Sequence, residues 1–267
     1  MPDSRVIYRQ RLWVRVAHWI NVVCMTALLM SGLQIFNARP DLYWGTKSVW
    51  HNPLVTIGTA QDAKGETIGT TRIGSHTFNT TGLLGYSGGM ARAFPFWATL
   101  PGVQWLAMAR RWHFFFAWIF VINGAIYFVL TFLTRHLRGD LWPTRSDLAH
   151  IGRSIRDHMR LRFPHGEAAK RYNVLQKLSY LAVILVLAPL MIFTGLTLSP
   201  RLDASFPFLL DVFGGRQSAR TIHFFCAFAL LAFVAVHIAL VLLSGVFNNM
   251  RSMTTGWYKI RGGNEIG

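Results

Sequence analysis

The chain has 267 residues, of which 52% are hydrophobic and only 14% are charged. A soluble domain of this length carries about 25% charged residues, so the composition excludes an ordinary soluble enzyme and indicates an integral membrane protein. A net charge of +16 is also typical of nucleic-acid binding, but here the basic residues lie between apolar runs and not along one face. We therefore interpret the charge as a signal of membrane topology and expect no nucleic-acid partner.

Long apolar runs predict the membrane-spanning helices. The four predicted spans are residues 16–38, 112–134, 178–200 and 221–247. The first run is long for a signal peptide and has no convincing small-residue cleavage site, so we expect it to be retained. Pro189 predicts a kink in the third span. These elements predict an all-α fold, a membrane four-helix bundle that forms one domain over the whole chain.

Two long connections join the spans. The connection 39–111 is polar, and residues 55–81 within it alternate β-prone pieces with glycines, which predicts one or two small hairpins. A loop of this length normally has its own function or a partner. The connection 135–177 has ten Lys or Arg against four acids. Residues 146–162 within it predict an amphipathic helix that lies on the membrane lipids.

The distribution of basic residues orients the spans in the membrane. Arginine and lysine concentrate at the N-terminus, in the connection 135–177 and in the C-terminal tail. The positive-inside rule therefore predicts cytoplasmic termini and a periplasmic loop 39–111, in a bacterial inner membrane. His51 and His76 lie in that loop without a second ligand at a useful spacing, so we assign them no metal role.

The fourth span carries two histidines, His223 and His237, separated by 14 positions. In a helix this spacing is about 21 Å along the axis and falls some 40° short of four full turns, so both rings leave on nearly the same face. A single histidine in a membrane helix is as often a packing residue as a ligand. Two at this spacing indicate one nitrogen ligand for each side of the bilayer.

Two further histidines match these two in predicted depth. His18 lies near the cytoplasmic end of the first span, level with His237, and His113 lies near the periplasmic end of the second span, level with His223. Two histidine pairs between apolar helices are what two six-coordinate b-type haems require. Zinc would need three or four converging ligands. A proton relay would need carboxylates in the spans, and the sequence of the spans contains none.

Arginines near each level are candidates to pair with haem propionates. Arg15 lies at the cytoplasmic level, and Arg220 or Arg216 lies at the periplasmic level. Ordinary anchoring at the membrane interface explains these arginines equally well. The chain has no CxxCH motif, and its two cysteines, Cys24 and Cys226, lie in apolar runs. We therefore expect non-covalent haem and no disulfide.

Several of these segments resemble the bacterial cytochrome b561 and nickel-hydrogenase cytochrome b family, which includes the γ subunits of formate dehydrogenases. They are Arg15–Trp19, the start of the second span at His113, Arg171–Lys177 and the His-x13-His pattern of the fourth span. The long 39–111 loop is more similar to b-type cytochromes that accompany periplasmic molybdopterin oxidoreductases.

The resemblance implies an electron-transfer subunit, without catalytic residues of its own, between a periplasmic oxidoreductase and the quinone pool of a respiratory chain. It places the quinone beside the cytoplasmic haem and makes Asn173 and Gln176 candidate hydrogen-bond donors to a quinone carbonyl. Capping of the third span is the alternative role for both side chains. Leu175 stands where the formate dehydrogenase pattern has glycine.

Two other functions stay open at this point. A self-sufficient quinone reductase would take electrons from a small diffusible donor such as superoxide, although such a donor needs no long docking loop. A haem-free membrane anchor for a periplasmic enzyme would keep its function without His223 or His237.

Overall fold

A computed structural model describes residues 5–49, 52–102, 104–134, 142–160 and 173–260. Within these residues, four helices are long and apolar enough to cross a membrane: Leu12–Asn37, Leu106–Leu133, Val174–Leu198 and Arg216–Leu243. They are the four predicted spans. Each begins four to six residues before its predicted start, because basic and polar residues that do not belong to an apolar run still form the first helical turn.

The helices are numbered in chain order. They are α1 (Leu12–Asn37), α2 (Leu106–Leu133), α3 (Arg145–Ala149), α4 (Ile151–Met159), α5 (Val174–Ala182), α6 (Ala188–Leu198), α7 (Pro200–Asp203), α8 (Phe208–Val212), α9 (Arg216–Leu243) and α10 (Val246–Thr255). The predicted fourth span ends early, because Gly245 adopts a left-handed φ of 107° and starts the separate helix α10.

The third span contains a π-helical turn, Val183–Leu187, between α5 and α6. Pro189 follows directly and has no N–H to donate to the carbonyl of Leu185. Within the π-turn, the N–H of Ala188 donates to the carbonyl of Val183, five residues earlier. The π-turn therefore lies directly before Pro189, and the kink at this residue stays a prediction.

The prediction of an all-α chain is wrong, because the described residues also contain strands. They are β1 (Arg5–Tyr8), β2 (Asp41–Leu42), β3 (Val55–Gln61), β4 (Thr67–Ile73), β5 (His76–Asn79), β6 (Gly85–Ser87), β7 (Met90–Arg92) and β8 (Trp257–Ile260). Strands β2 to β5 form one antiparallel sheet in chain order, and β6 pairs with β7. The hairpins predicted in residues 55–81 are confirmed as β3–β4 and β4–β5.

The two ends of the described chain pair with each other. Strand β1 is antiparallel to β8, with Arg5 opposite Ile260 and Tyr8 opposite Trp257. The Tyr8 and Trp257 rings pack edge to face, with centres 5.3 Å apart. An even number of spans returns the chain to the side where it began, and this pairing is consistent with that count.

Contacts within the chain divide it into two compact units. The first unit contains the described parts of residues 1–20, 123–189 and 228–267. The second unit contains residues 21–122 and 190–227 as far as they are described. The first unit therefore holds His18 and His237, and the second holds His113 and His223.

In the second unit, the chain that follows α1 fastens the beginning of α9. The backbone N–H groups of Gln217 and Ser218 donate to the carbonyl of Gly45, at 3.1 and 3.2 Å. The Thr221 hydroxyl donates to the Tyr43 carbonyl at 2.6 Å. Gly215 allows this approach, because a Cβ atom there would lie 2.7 Å from the Gly45 carbonyl oxygen. These bonds fix the helical turn that precedes His223.

In the first unit, α3 and α4 occupy most of the predicted amphipathic segment 146–162, whose last two residues lie outside the described residues. Thr144 and Asp147 form a capping box at the start of α3. The Asp147 carboxylate accepts a hydrogen bond of 2.8 Å from Lys177 of α5. That bond and the backbone N–H of Thr144 hold the pKa of Asp147 below its usual value. The ion pair therefore contributes at neutral pH and is lost as the pH falls through the lowered pKa.

Candidate functional site

In the second unit, α2 and α9 bring His113 and His223 together. The centres of the two imidazole rings lie 6.3 Å apart and their planes meet at 61°. Both residues are half-buried. The structure thus brings together one of the two histidine pairs that the sequence predicts.

In the first unit, α1 and α9 bring His18 and His237 together with nearly the same geometry. The ring centres lie 6.3 Å apart and the planes meet at 62°. The ring of Phe233, one turn earlier on α9, stacks on His237 with an interplanar angle of 19°. Trp19 packs edge to face against His18. Aromatic side chains therefore adjoin both histidines of this pair.

The separation of the rings tests whether each pair fits a metal between its nitrogens. Two collinear metal–imidazole bonds of about 2.0 Å, with about 1.2 Å from each nitrogen to its ring centre, place the centres at most about 6.4 Å apart. A direct hydrogen bond of about 2.9 Å between the two nitrogens would place the centres at most about 5.3 Å apart. The observed 6.3 Å fits a bridging metal and excludes a direct bond. Two axial histidines on one iron are the ligand set of bis-histidine haem b.

A hydroxyl group determines which nitrogen of His113 carries the proton. Ser31 lies on α1, and its Oγ is 3.1 Å from His113 Nδ1. The single hydroxyl proton of Ser31 is directed to the Ala27 carbonyl at 2.6 Å. We therefore assign the proton to His113 Nδ1, which can donate to Ser31 and to the backbone carbonyl of Leu28. This assignment leaves Nε2 with the lone pair that a metal needs.

His223 has the same arrangement with a different helix. Thr194 Oγ1, on α6, is 2.9 Å from His223 Nδ1. Its hydroxyl proton is directed to the Leu190 carbonyl at 2.6 Å. His223 Nδ1–H therefore donates to Thr194, and Nε2 is again the unprotonated nitrogen. Both histidines of the second unit are held in the tautomer that binds iron through Nε2.

Glycines beside these hydroxyls make room for the rings. A Cβ atom at Gly32 would lie 3.4 Å from His113 Cε1, and one at Gly195 would lie 3.4 Å from His223 Cε1. The flat group that approaches Gly32 is therefore the His113 ring. Gly124, on α2, has no neighbour within 4 Å of a Cβ atom placed on it.

Sequence analysis did not single out Ser31 or Thr194. The signal available in the sequence was a hydroxyl residue directly before a glycine, Ser31-Gly32 and Thr194-Gly195, inside an apolar run. Such residues are common in membrane helices, where the hydroxyl usually bonds to its own backbone. Only the position of the histidine ring distinguishes these two.

Arg15, a predicted propionate partner, has a backbone partner in the structure. Its Nη1 donates to the carbonyl of Thr254, at 2.5 Å, at the end of α10. Trp19 Nε1 donates to the neighbouring Met253 carbonyl at 2.9 Å. The Nε atom of Arg15 is buried without a hydrogen-bond partner. Arg15 thus satisfies a helix C-terminus, and its role toward a propionate stays a prediction.

Arg220 and Arg216, the other two candidates, also have protein partners. The Arg220 guanidinium donates to the carbonyls of Asp41, at 2.8 Å, and of Arg39. It also lies over the Phe36 ring, 5.4 Å from its centre. Arg216 pairs with the carboxylate of Asp203. In the described residues, Arg220 therefore fastens the chain after α1 to the start of α9.

Asn173 and Gln176, the predicted quinone ligands, form a capping box at the start of α5. Asn173 Oδ1 accepts from the Leu175 N–H at 3.0 Å, and Gln176 Oε1 accepts from the Asn173 N–H at 3.2 Å. The Ser154 hydroxyl of α4 also donates to Asn173. Capping is therefore a confirmed role of both residues. It uses the amide oxygens, whereas a quinone carbonyl needs an N–H donor, so the quinone role stays a prediction.

A polar groove of about 250 Å³ adjoins Asn173. It is lined by residues of α3, α4 and the start of α5, among them His150 and Arg153. Arg171 and Tyr172, which carry part of the family resemblance, lie outside the described residues. His51 lies outside them as well, and His76 is exposed on β5.

Residues 77–256 match the model of the prokaryotic cytochrome b561 family. The match covers more than half of the 267 residues. The chain belongs to the prokaryotic cytochrome b561 family. His113, His223 and His237 lie inside the matched residues, and His18 lies before them. This cytochrome is a membrane protein of electron transport whose family binds b-type haem, as the sequence predicts.

One relative of the cytochrome is named as the subunit of a reductase. The cytochrome is 28% identical over 235 residues to the putative protein-methionine-sulfoxide reductase subunit YedZ1 of Azospira oryzae. The alignment covers 86% of this chain and 88% of that protein. No solved structure matches this cytochrome.

The glycines give a prediction for the second unit. If His223 binds one of two haems, Gly195→Leu is expected to remove that haem, because the added side chain would occupy the space of the imidazole ring. Haem per chain, measured by pyridine haemochrome assay, is expected to fall from about two to about one. Gly124→Leu is the matched control, since a Cβ atom there meets nothing within 4 Å. Full haem content in the Gly195→Leu protein would show that this approach does not position the ligand.

Proposed function

We propose that this cytochrome is a dihaem electron-transfer subunit that connects the quinone pool with a periplasmic oxidoreductase. The observation that carries the proposal is the equal geometry of two separate histidine pairs, each with ring centres 6.3 Å apart. One haem b would be held by His18 and His237, the other by His113 and His223. Membership of a haem-binding family argues against a haem-free anchor.

The protein residues determine how each haem is held. A bound haem supplies a one-electron carrier, and axial ligands, hydrogen bonds and burial set its potential. Ser31 and Thr194 accept from the Nδ1–H groups of His113 and His223 and so increase the electron donation of these rings. In the described residues, no such hydroxyl bonds to His18 or His237. The two sites therefore differ in the support of their ligands, and we expect two distinct potentials.

We assign the partner to the periplasmic side, at the connection between α1 and α2. This connection contains the sheet β2–β5, and it exposes large aromatic side chains: Trp44 is 62%, Trp97 is 65% and Trp105 is 55% exposed. Exposed tryptophans are enriched in protein interfaces. The relative of Azospira oryzae is named as a reductase subunit, which supports a reductase, and by resemblance a molybdopterin oxidoreductase, as the partner. The basic segments around the termini and α4 then face the cytoplasm.

The quinone is expected at the start of α5, beside the cytoplasmic haem. Two isosteric substitutions distinguish quinone binding from helix capping. Asn173→Asp and Gln176→Glu keep the oxygens that accept hydrogen bonds in the capping box, but remove the amide N–H donors. We expect both variants to keep their haem and thermal stability, and to reduce their haem more slowly with a water-soluble quinol.

The control for this test is Asn173→Ala, which removes the cap as well and is expected to lower thermal stability by about 1 kcal/mol. The rate is followed at the α-band of the haem in detergent or proteoliposomes. An unchanged rate in the Asp and Glu variants, with haem intact, would mean that the amides serve only the helix and that the quinone binds elsewhere.

A further inference from the structure

Arg92, at the end of β7, is a buried cation without an anion among the described residues. Only 7% of its surface is exposed. Its Nη2 donates to Gln34 Oε1 at 2.9 Å and to Thr99 Oγ1 at 3.1 Å, which are both neutral acceptors. Its Nε and Nη1 atoms are buried without a hydrogen-bond partner.

An arrangement of this kind requires a compensating group. Burying a guanidinium without a counter-charge is unfavourable, and each unsatisfied donor adds to this cost. Burial lowers the pKa of Arg92 from its ordinary value, and no carboxylate in the described part of the chain opposes the shift. Each of the two unsatisfied nitrogens can donate a charge-assisted hydrogen bond to an anionic oxygen.

The surroundings of Arg92 connect it to both ligand histidines of the second unit. Gln34 follows Ser31 by three positions on α1, so the two side chains share one face of that helix. Ser31 Oγ is the atom that contacts the His113 ring. The Arg92 guanidinium therefore lies about one helical turn, roughly 5 Å, from the level at which α1 meets His113.

The residues after Arg92 reach the other ligand. The backbone N–H of Phe94 donates to Asn37 Oδ1 at 2.7 Å. The centre of the Phe94 ring lies 6.5 Å from that of Phe224 on α9. Phe36 of α1 also contacts Phe224, with ring centres 4.6 Å apart. Phe224 is the neighbour of His223 in the chain. The segment that carries Arg92 thus adjoins the helices of both histidines.

We infer that Arg92 binds a propionate carboxylate of the haem held between His113 and His223. This inference rests on the proposed function, since it requires haem at that pair. It adds Arg92 to Arg220 and Arg216, whose role toward a propionate stays a prediction; the Arg220 guanidinium donates to backbone carbonyls. Arg92 is a positioning residue, because it would hold the edge of the haem and raise its potential by its positive charge.

The test isolates this haem in a His18→Ala background, in which only the His113–His223 haem is expected to remain. Arg92→Gln in this background is expected to lower the haem midpoint potential, since a nearby positive charge stabilises the reduced form. Arg92→Lys keeps the charge and is expected to restore most of the potential. Arg72→Gln, a half-buried arginine on β4, is the control for loss of one charge.

A second arm uses the propionates themselves. The full-length protein with Arg92 intact is produced without haem and reconstituted in detergent. It is expected to bind haem b about tenfold or more tightly than haem b dimethyl ester, in which both propionates are esterified. The Arg92→Gln protein is expected to lose most of this preference. Equal affinity of the Arg92 protein for both compounds, or an unchanged potential in Arg92→Gln, would overturn the inference. Loss of all haem in the His18→Ala background would instead contradict the proposed pairs.

Discussion

Replacing His113 or His223 by alanine is expected to remove the same haem from this cytochrome. Under the proposed pairing, each substitution deletes one of two ligands to the same iron, so haem per chain is expected to fall from about two to about one. The double variant His113→Ala/His223→Ala is expected to lose no more than either single variant. Pyridine haemochrome assay gives the count, and the reduced-minus-oxidised spectrum identifies which α-band component disappears.

His76→Ala is the control for this experiment, because His76 is exposed on β5 and belongs to neither pair. Loss of different spectral components in the two single variants would contradict the pairing, since His113 and His223 would then belong to different haems. A double variant without any haem would contradict it in the same way.

The second large effect concerns the route of electrons. In the His18→Ala protein, the rate at which quinol reduces the remaining haem is expected to fall to the background rate. If the quinone binds beside the His18–His237 site, electrons must pass through that site to reach the other haem. Stopped-flow measurement with a water-soluble quinol gives the rate at the α-band.

The matched variant is His223→Ala, which is expected to leave the haem of the quinone side in place. Its quinol-dependent reduction is expected to stay close to that of the unmodified protein. Dithionite, which reduces either haem directly, shows in both variants that the remaining haem is competent. A slow His223→Ala protein beside a fast His18→Ala protein would place the quinone on the opposite side.

The helices and the histidine pairs could be predicted because their signals are local or periodic. An uncharged run predicts a span by itself, and a spacing of 14 between His223 and His237 determines their common face from helix geometry alone. The histidine pairs were predicted from the distribution of Lys and Arg, which orients the spans and so assigns each histidine a depth in the membrane. Depth alone was sufficient to match His18 with His237, because the four spans offer few nitrogen ligands.

The partners of the arginines could not be predicted, because they are backbone atoms far away in the sequence. Arg15 donates to Thr254, which is 239 positions away, and Arg220 donates to Asp41, which is 179 positions away. A carbonyl has no side-chain signature, so the sequence indicates a cation near the haem level but not its acceptor. Arg92 was missed for the converse reason, since a single arginine in a polar loop normally lies in solvent.

The strands outside residues 55–81 were missed for a similar physical reason. Strand β1 has four residues, Arg5–Tyr8, and its partner β8 is more than 240 positions away in the chain. Short strands with mixed polarity have no detectable period, and their pairing depends on the spans that bring the chain ends together. The basic residues at both ends were used to predict the orientation of the spans, which stays a prediction, and they gave no sign of the β1–β8 pairing.

The central claim is that one chain holds two haems, and its most direct test is the ratio of haem to protein in the purified, unmodified cytochrome. Pyridine haemochrome assay against quantitative amino-acid analysis gives the ratio, and low-temperature electron paramagnetic resonance reports the axial ligands. We predict about two b-type haems per chain, both low-spin with two histidine ligands. A ratio of about one haem, unchanged after reconstitution with excess haem, would contradict the claim and leave one histidine pair without iron.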